Sequence, residues 1–519
     1  MNSYLGQKGY TIAKNELTID QQKQIRNDLT IKPFTHGSIG SADQKTFPAY
    51  RESSNKFYVP HYYGVEKFGV PKQYKIMEGA NIDLEFAGKL RENQEVVVNT
   101  YLEHVKKVGF GGGLLELPCA YGKTVLSLSI ISQLKKKTFI IVHKEFLMNQ
   151  WIERIQQFLP KARVGKIQGP IIDIDDKDIV IGMLQSLSMK EYPVSIFESF
   201  GLTIIDEVHH ISSEVFSNSL FKLVTKYMLG LSATMNRKDG TTKVFKMFLG
   251  DVVFKGKRDE ERNVIVHAIK YQVNDDDFNE VKFDYRGNPA YSSMISKLCE
   301  YNRRSEFILK ILSDMLLKDP NQQIMILAHN KNLLKYLHDA IVNRNIATCG
   351  YYVGGMKESA LKETESKKVV IATYSMAAEA LDIKSLTTLI MTTPKTDIEQ
   401  SVGRILREKH SNPIVVDIID SHDLFQNQWR KRKTFYKKEN YKIIYTESQI
   451  YNPDTTTWSI INMPNGCKPE KKVFKKNVSN KTNSSSDRSI TNDSSDSEDE
   501  SKDVKDKYAC GKCLLTMKK

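Results

Sequence analysis

Leu114-Leu115-Glu116-Leu117-Pro118-Cys119-Ala120-Tyr121-Gly122-Lys123-Thr124 is the stretch that decides the fold. An apolar strand runs into a tight loop ending Gly-Lys-Thr, and an apolar helix is expected from Val125 to Leu134. Strand, loop and helix in that order make a phosphate-binding loop. Backbone N–H groups at the start of such a helix face phosphate oxygens, and the helix dipole favours negative charge there. Pro118, Cys119, Ala120, Tyr121, Gly122, Lys123 and Thr124 are therefore expected to cradle a nucleotide. Lys123 is placed to reach the β- and γ-phosphates, and the Thr124 hydroxyl to hold Mg²⁺. Cys119 reads as a small packing residue of the loop, not a nucleophile.

Three further stretches follow in fixed order. Asp206-Glu207-Val208-His209 comes directly after the apolar strand Leu202–Ile205. Nucleotide hydrolysis needs one carboxylate for the metal and a second to orient water, so Asp206 is expected at Mg²⁺ and Glu207 at the water. Ser232-Ala233-Thr234 follows the apolar strand Met228–Leu231. Small hydroxyl residues there can bond the carboxylate–histidine cluster and pass its state onward. Gln400, Gly403, Arg404 and Arg407 share one short stretch. On a helix, Gln400, Arg404 and Arg407 fall on one face. The planar guanidinium fork suits phosphate, and an arginine delivered from a second domain raises turnover roughly 10³–10⁵-fold.

Around these stretches the chain divides by composition into four parts. Residues 1–85 read as a separate, β-rich accessory module, with strand-like pieces at Leu17–Asp20, Leu29–Ile31 and Lys56–Val59. The aromatic and basic residues of Phe57 to Lys67 either contact nucleic acid or fill a small core. Residues 86–255 alternate continuous apolar strands (Thr138–Val142, Asp178–Gly182, Leu202–Ile205) with amphipathic helices such as Glu145–Phe158. That pattern means a parallel sheet covered on both faces, with the ligand beyond the carboxyl ends of its strands. Residues 256–445 repeat the pattern (strands at Ile324–Leu327, Val369–Ala372, Leu389–Met391 and Ile414–Asp417) but carry no Gly-Lys-Thr. One ATP site serving two similar sheets is the expectation. Residues 446–519 are basic, then Ser/Asp-rich, and are expected to be largely disordered.

The 519 residues carry a formal charge of +14, with a pI near 9.1. Nucleic acid is the default polyanion for a chain this basic, although lysine-rich coding gives the same charge. Six irregularly spaced cysteines, a polar amino terminus and the lack of an apolar run of about twenty residues point to an intracellular protein with no membrane partner. Cys510 and Cys513 have zinc-ligand spacing, but two ligands fall short of the usual four. Ser494–Glu500 resembles an acidic-kinase target and equally reads as a solubilising tail.

From about Arg91 to Asp417 the set of motifs resembles helicase superfamily 2, of the DEAD/DEAH-like, DEVH type. The resemblance implies ATP with Mg²⁺ between two RecA-like domains and nucleic acid across the top of both. It makes Gln94 the reader of adenine, and it places His143 and Lys144, Gln185 and Thr373 at the nucleic-acid strand. His209, Ser232, Ala233, Thr234 and Asp382 become coupling residues. Ala380 stands where members usually have Gly. Arg237-Lys238-Asp239-Gly240 after Ser-Ala-Thr is similar to DNA-acting repair and transcription helicases. The whole resembles the poxvirus transcript-release helicase and its giant-virus relatives, which implies DNA as the favoured substrate, transcription machinery as a partner and a viral setting at a cytoplasmic replication site or in the virion. An RNA helicase with the same motor, and a nucleic-acid-bound ATPase switch that separates no strands, are the alternatives. A metabolite kinase has no use for the second α/β half.

Overall fold

In a computed structural model, the residues described are 2–33, 46–118, 121–211, 213–235, 239–257, 263–379, 383–407, 410 and 412–465. Cys119, Ala120, Arg237, Lys238, Ala380, Asp382, Cys510, Cys513 and the Ser/Asp-rich tail lie outside them.

The hydrophobic runs form two eight-stranded sheets. The first runs Ile171–Ile172, Val164–Gln168, Ile179–Met183, Thr138–Val142, Leu202–Ile205, Tyr227–Ser232, Gly111–Glu116, Val252–Lys255, parallel except at the first strand. Its central strands Thr138–Val142 and Leu202–Ile205 are buried at every residue. Helices on both faces demand this, and the unbroken apolar runs supply it. Helix Glu145–Phe158 covers one face through Leu147, Met148, Trp151 and Ile155, a stripe of helical spacing. The second sheet runs Cys349–Tyr352, Val369–Thr373, Gln323–Ala328, Leu386–Met391, Ile414–Asp420, Ile265–Tyr271, Lys442–Glu447, Ser459–Asn462, with only the last strand antiparallel. The basic run Arg430–Lys433 lies within helix Asp423–Lys438.

A smaller five-stranded sheet occupies the amino-terminal part, in the order Arg51–Glu52, Lys56–Val59, Gly9–Ala13, Ser3–Gly6, Gln73–Tyr74. Leu17–Asp20 is not a strand. Thr18 caps helix Ile19–Leu29, its hydroxyl accepting from Gln21 N–H while the Gln21 side chain accepts from Thr18 N–H. The Thr-x-x-Gln box outweighs the β preference of isolated Leu and Ile. Leu29 closes that helix, leaving Thr30–Ile31 as a two-residue strand. Tyr62 ties this part to the first large sheet. Its hydroxyl donates to Gly112 O (3.0 Å) and accepts from Gly112 N–H (2.6 Å), on the strand that leads into the phosphate loop.

Candidate nucleotide and coupling site

The strand Gly111–Glu116 enters the loop, and Leu117 N–H still pairs with Ser232 O (2.8 Å). The loop root and the Ser-Ala-Thr stretch thus abut. Gly122 (φ 88°, ψ 38°) turns the chain into helix Lys123–Leu134, so Lys123 and Thr124 are its first two residues. That positive φ suits glycine. A Cβ at Gly122 would also come 2.3 Å from Gln94 Nε2. Gln94 is buried against the loop: Nε2 donates to Tyr121 O (2.8 Å) and Oε1 accepts from Arg91 N–H (3.0 Å). The Arg91 guanidinium donates to the same Tyr121 carbonyl (2.6 Å). Two donors therefore fix the bend before Gly122. Pro118, at the other side of the bend, lies against Gly256.

Asp206 and Glu207 end the strand Leu202–Ile205, beyond its carboxyl end. Asp206 is buried and accepts from Trp151 Nε1 (2.9 Å) and from Glu207 N–H (2.9 Å). Burial and the neighbouring Glu207 carboxylate push its pKa up, while Lys123 and Trp151 pull it back. Glu207 adopts φ 48°, ψ 51°, a left-handed conformation that costs a non-glycine residue about 1–2 kcal/mol. The turn aims its carboxylate at Lys123 Nζ (2.6 Å) and at His209 Nδ1 (3.4 Å). His209 Nδ1 also meets Ser232 Oγ (2.8 Å), whose hydroxyl donates to Thr234 O.

The next bond leaves the first sheet. Gln400 Nε2 donates to His209 Nε2 (2.9 Å), from helix Glu399–Gly403 of the second α/β half. With Nε2 accepting, His209 carries its proton on Nδ1, toward Ser232 and Glu207. Gln400 is followed by a tighter 3₁₀ turn at Arg404–Leu406, so the single helical face expected for Gln400, Arg404 and Arg407 is broken after Gly403. Arg404 and Arg407 are half-buried. Both cations act on Tyr352, whose pKa burial nonetheless raises to about 12.

A cavity of about 1390 Å³ opens beside this bridge. His209, Ala233 and Thr234 line it from the first half, and Thr373, Lys395, Gln400 and Lys431 from the second. His143, Lys144 and Gln185 are not among its lining residues, but Gln185 Nε2 donates to His143 O (2.9 Å), joining those two motifs. His329, also on the wall, is held neutral by burial and by Lys395, its pKa lowered to about 4.

Among the described residues no three His, Cys, Asp or Glu side chains group closely enough to hold a metal ion. The oxygen donors Thr124, Asp206 and Glu207 suit Mg²⁺, which characteristically takes one or two carboxylates and completes its shell with phosphates and water. Trp151 belongs to none of the motifs, and Arg91, which opens the stretch containing Gln94, takes part through its guanidinium. A tryptophan on an apolar stripe reads as packing, and its N–H gives no periodic signal.

A phosphate-loop strand and helix in one sheet, an acidic strand end, and a contact from a second parallel sheet define a two-lobed ATPase of the helicase class. The family described as "Type III restriction enzyme, res subunit" matches residues 87–237. "Putative ATP-dependent RNA helicase L396" of Acanthamoeba polyphaga mimivirus is 35% identical over 446 residues, covering 84% of this chain and 85% of that protein. "Putative ATP-dependent RNA helicase QP509L" of African swine fever virus is 28% identical over 370 residues (66% and 71%). "Putative helicase 161L" of invertebrate iridescent virus 6 is 26% identical over 387 residues (70% and 85%). The chain belongs to helicase superfamily 2, with these viral helicases as its relatives, and is an ATP-dependent helicase.

Proposed function

We propose that residues 86–255 and 256–445 are two RecA-like domains, residues 1–85 an accessory module and 446–519 a tail, and that the chain is an ATP-driven translocase acting on DNA in viral transcription or repair. The observation that carries the motor reading is the run of contacts Lys123–Glu207–His209–Gln400, from the phosphate loop into the second α/β half: hydrogen bonds join Lys123 to Glu207 and Gln400 to His209, and Glu207 approaches His209 Nδ1 at 3.4 Å. In this reading ATP enters at Gly122–Thr124. An incoming β- or γ-phosphate competes with Glu207 for Lys123. Glu207, released, orients water, and His209 registers the change and relays it to Gln400 together with Ser232, Ala233 and Thr234. Bound Mg²⁺ would supply charge neutralisation of the phosphates, with Thr124 and Asp206 holding it. Asp206 fits that role because a buried carboxylate pressed by Glu207 is eased by a nearby cation. Gln94 keeps one N–H and one lone pair beyond its bonds to Tyr121 and Arg91, enough to meet the adenine edge. Arg404 and Arg407 face the γ-phosphate on closure. The strand lies along the walled cavity at Thr373, with His143, Lys144 and Gln185 continuing its path. Asp382 couples the two ends.

DNA is favoured by Asp239-Gly240 and the residues before them, which are similar to those of DNA-acting helicases. RNA is the second reading, supported by the names of the mimivirus and swine fever virus relatives. ATPase rates with single- and double-stranded DNA and RNA, run beside a strand-displacement assay, separate the two. Stimulation by DNA with displacement is expected. Stimulation by RNA alone overturns the DNA assignment, and stimulation without displacement leaves an ATPase switch. Lys123→Ala is expected to abolish turnover, by at least about 10²-fold, while keeping most nucleic-acid binding. Normal hydrolysis by that variant would falsify the site.

A further inference from the structure

The outward face of the amino-terminal sheet sets aromatic rings among lysines. Strand register places Gln73, Tyr4, Thr11, Tyr58 and Arg51 side by side in one row across all five strands. Successive residues of a strand alternate between faces. Leu5, Tyr10, Ile12, Phe57 and Val59 take the other face and are buried. Tyr4 and Tyr58 therefore point away from the core, and each keeps part of its surface in solvent. They stand two strands apart, roughly 10 Å. Thr11, between them, is 1% exposed. Tyr4 lies along the sheet, over Gly6: a Cβ at Gly6 would meet the Tyr4 ring at 3.3 Å.

Cations sit at these rings. Lys75 Nζ is 4.5 Å from the Tyr4 ring centre and Lys56 Nζ 5.4 Å, while Lys8 Nζ is 5.4 Å from that of Tyr58. No described carboxylate forms an ion pair with any of the three lysines. Glu52, at the end of the sheet, is already engaged by Lys14 (2.9 Å) and Arg26 (3.0 Å). The face is thus cationic with two part-exposed tyrosines, and Lys56 Nζ also donates to the Tyr4 hydroxyl (3.4 Å). A single nucleic-acid strand has the complementary chemistry, phosphates for the ammonium groups and bases for the rings. An acidic polypeptide would use the lysines and leave the rings without a role.

We propose that this face is a second nucleic-acid site, a platform on which two bases of a single strand stack on Tyr4 and Tyr58 with Lys8, Lys56 and Lys75 at its phosphates. It is separate from the cavity between the two large sheets and does not depend on how that cavity is used. The test is binding of a fluorescent 20-nucleotide single strand, as DNA and as RNA, to the full chain at several salt concentrations. Tyr4→Ala with Tyr58→Ala is expected to weaken binding about thirtyfold or more, the loss of two stacked bases. Tyr4→Phe with Tyr58→Phe should bind like the parent, and ATPase activity without nucleic acid should not change in either. Crosslinking of a 5-iodopyrimidine strand to the unaltered chain gives a readout independent of variant folding, and adducts are expected at Tyr4 or Tyr58. Parent-like binding by a folded alanine variant overturns the proposal, as do adducts confined to the large sheets or competition by polyglutamate as strong as that by the oligonucleotide.

Discussion

Glu207 is held between two cationic or protonated neighbours, and its backbone strain is what puts it there. Lys123 at 2.6 Å and His209 at 3.4 Å share its carboxylate, in a left-handed turn that only a fixed set of partners sustains. His209 then has two duties, one ring nitrogen toward Ser232 and Glu207 and the other toward Gln400. Removing either end of that bridge should have the same consequence. Gln400→Ala and His209→Ala are each expected to lower nucleic-acid-stimulated kcat about tenfold with little change in ATP affinity. The double variant should be no worse than the worse single, because residues acting as one unit are not additive. Multiplying losses in the double variant would show that the two side chains act separately. The members of this bridge were legible in the sequence, since acidic residues at a strand end and a Gln in an Arg-rich stretch carry local signals. Which atom meets which was not. The His209–Gln400 bond spans 191 positions, and no local pattern encodes a contact of that range.

Helix Glu145–Phe158 is an element whose ends were legible and whose role was not. Its apolar stripe marks both boundaries, and Glu145 to Phe158 is the span expected from the periodicity. The stripe also hides a donor. Trp151 packs in the core of the first sheet and hands its N–H to Asp206 Oδ2 (2.9 Å). On the opposite face, Asn149 and Glu153 reach Glu358 (3.0 Å) and Lys362 (3.0 Å) of helix Glu358–Glu365 in the second half. One rigid helix therefore joins the carboxylate proposed for Mg²⁺ to the other lobe. Trp151→Phe keeps the aromatic volume and removes only the N–H. It is expected to raise the Mg²⁺ concentration for half-maximal ATPase several-fold and to lower kcat up to about tenfold, with a change in thermal midpoint small beside the loss that Trp151→Ala causes. A Mg²⁺ dependence matching the parent would limit Trp151 to packing. The strand-like reading of Leu17–Asp20 failed for a related reason: two apolar residues cannot outvote a capping box, whose reciprocal bonds use the side chains of Thr18 and Gln21.

At the scale of the whole molecule, stability and the proposed closure are expected to draw on different groups. His61, near the junction of the amino-terminal part, and His267, in strand Ile265–Tyr271 of the second large sheet, are buried with pKa values lowered by burial to about 4 and about 3. An unfolded histidine protonates near 6.5, so the unfolded chain binds protons first as pH falls. Stability is full above about pH 6.5 and drops as pH falls toward about 4, by up to roughly 3 kcal/mol for each histidine. Urea midpoints should decline between pH 6.5 and 5, above the range where most carboxylates titrate, with His329 acting in the same sense, and a flat profile there would show that protonating these histidines does not destabilise the fold. The proposed closure is expected to draw instead on exposed charge. Lys362 lies 3.0 Å from Glu153 across the lobes and 3.0 Å from Glu358 on its own helix. Exposed pairs of this kind contribute little to folding, but charge complementarity of this kind fixes the register of facing surfaces. Lys362→Glu puts a third carboxylate among these and should lower kcat/KM for ATP about two- to fivefold at low salt, less at high salt as screening grows. Adding Glu153→Lys to the same chain restores an opposite-charge pair and should recover most of the loss. Recovery is the decisive result, because a structural defect at position 362 would survive the second substitution, whereas an electrostatic one would not.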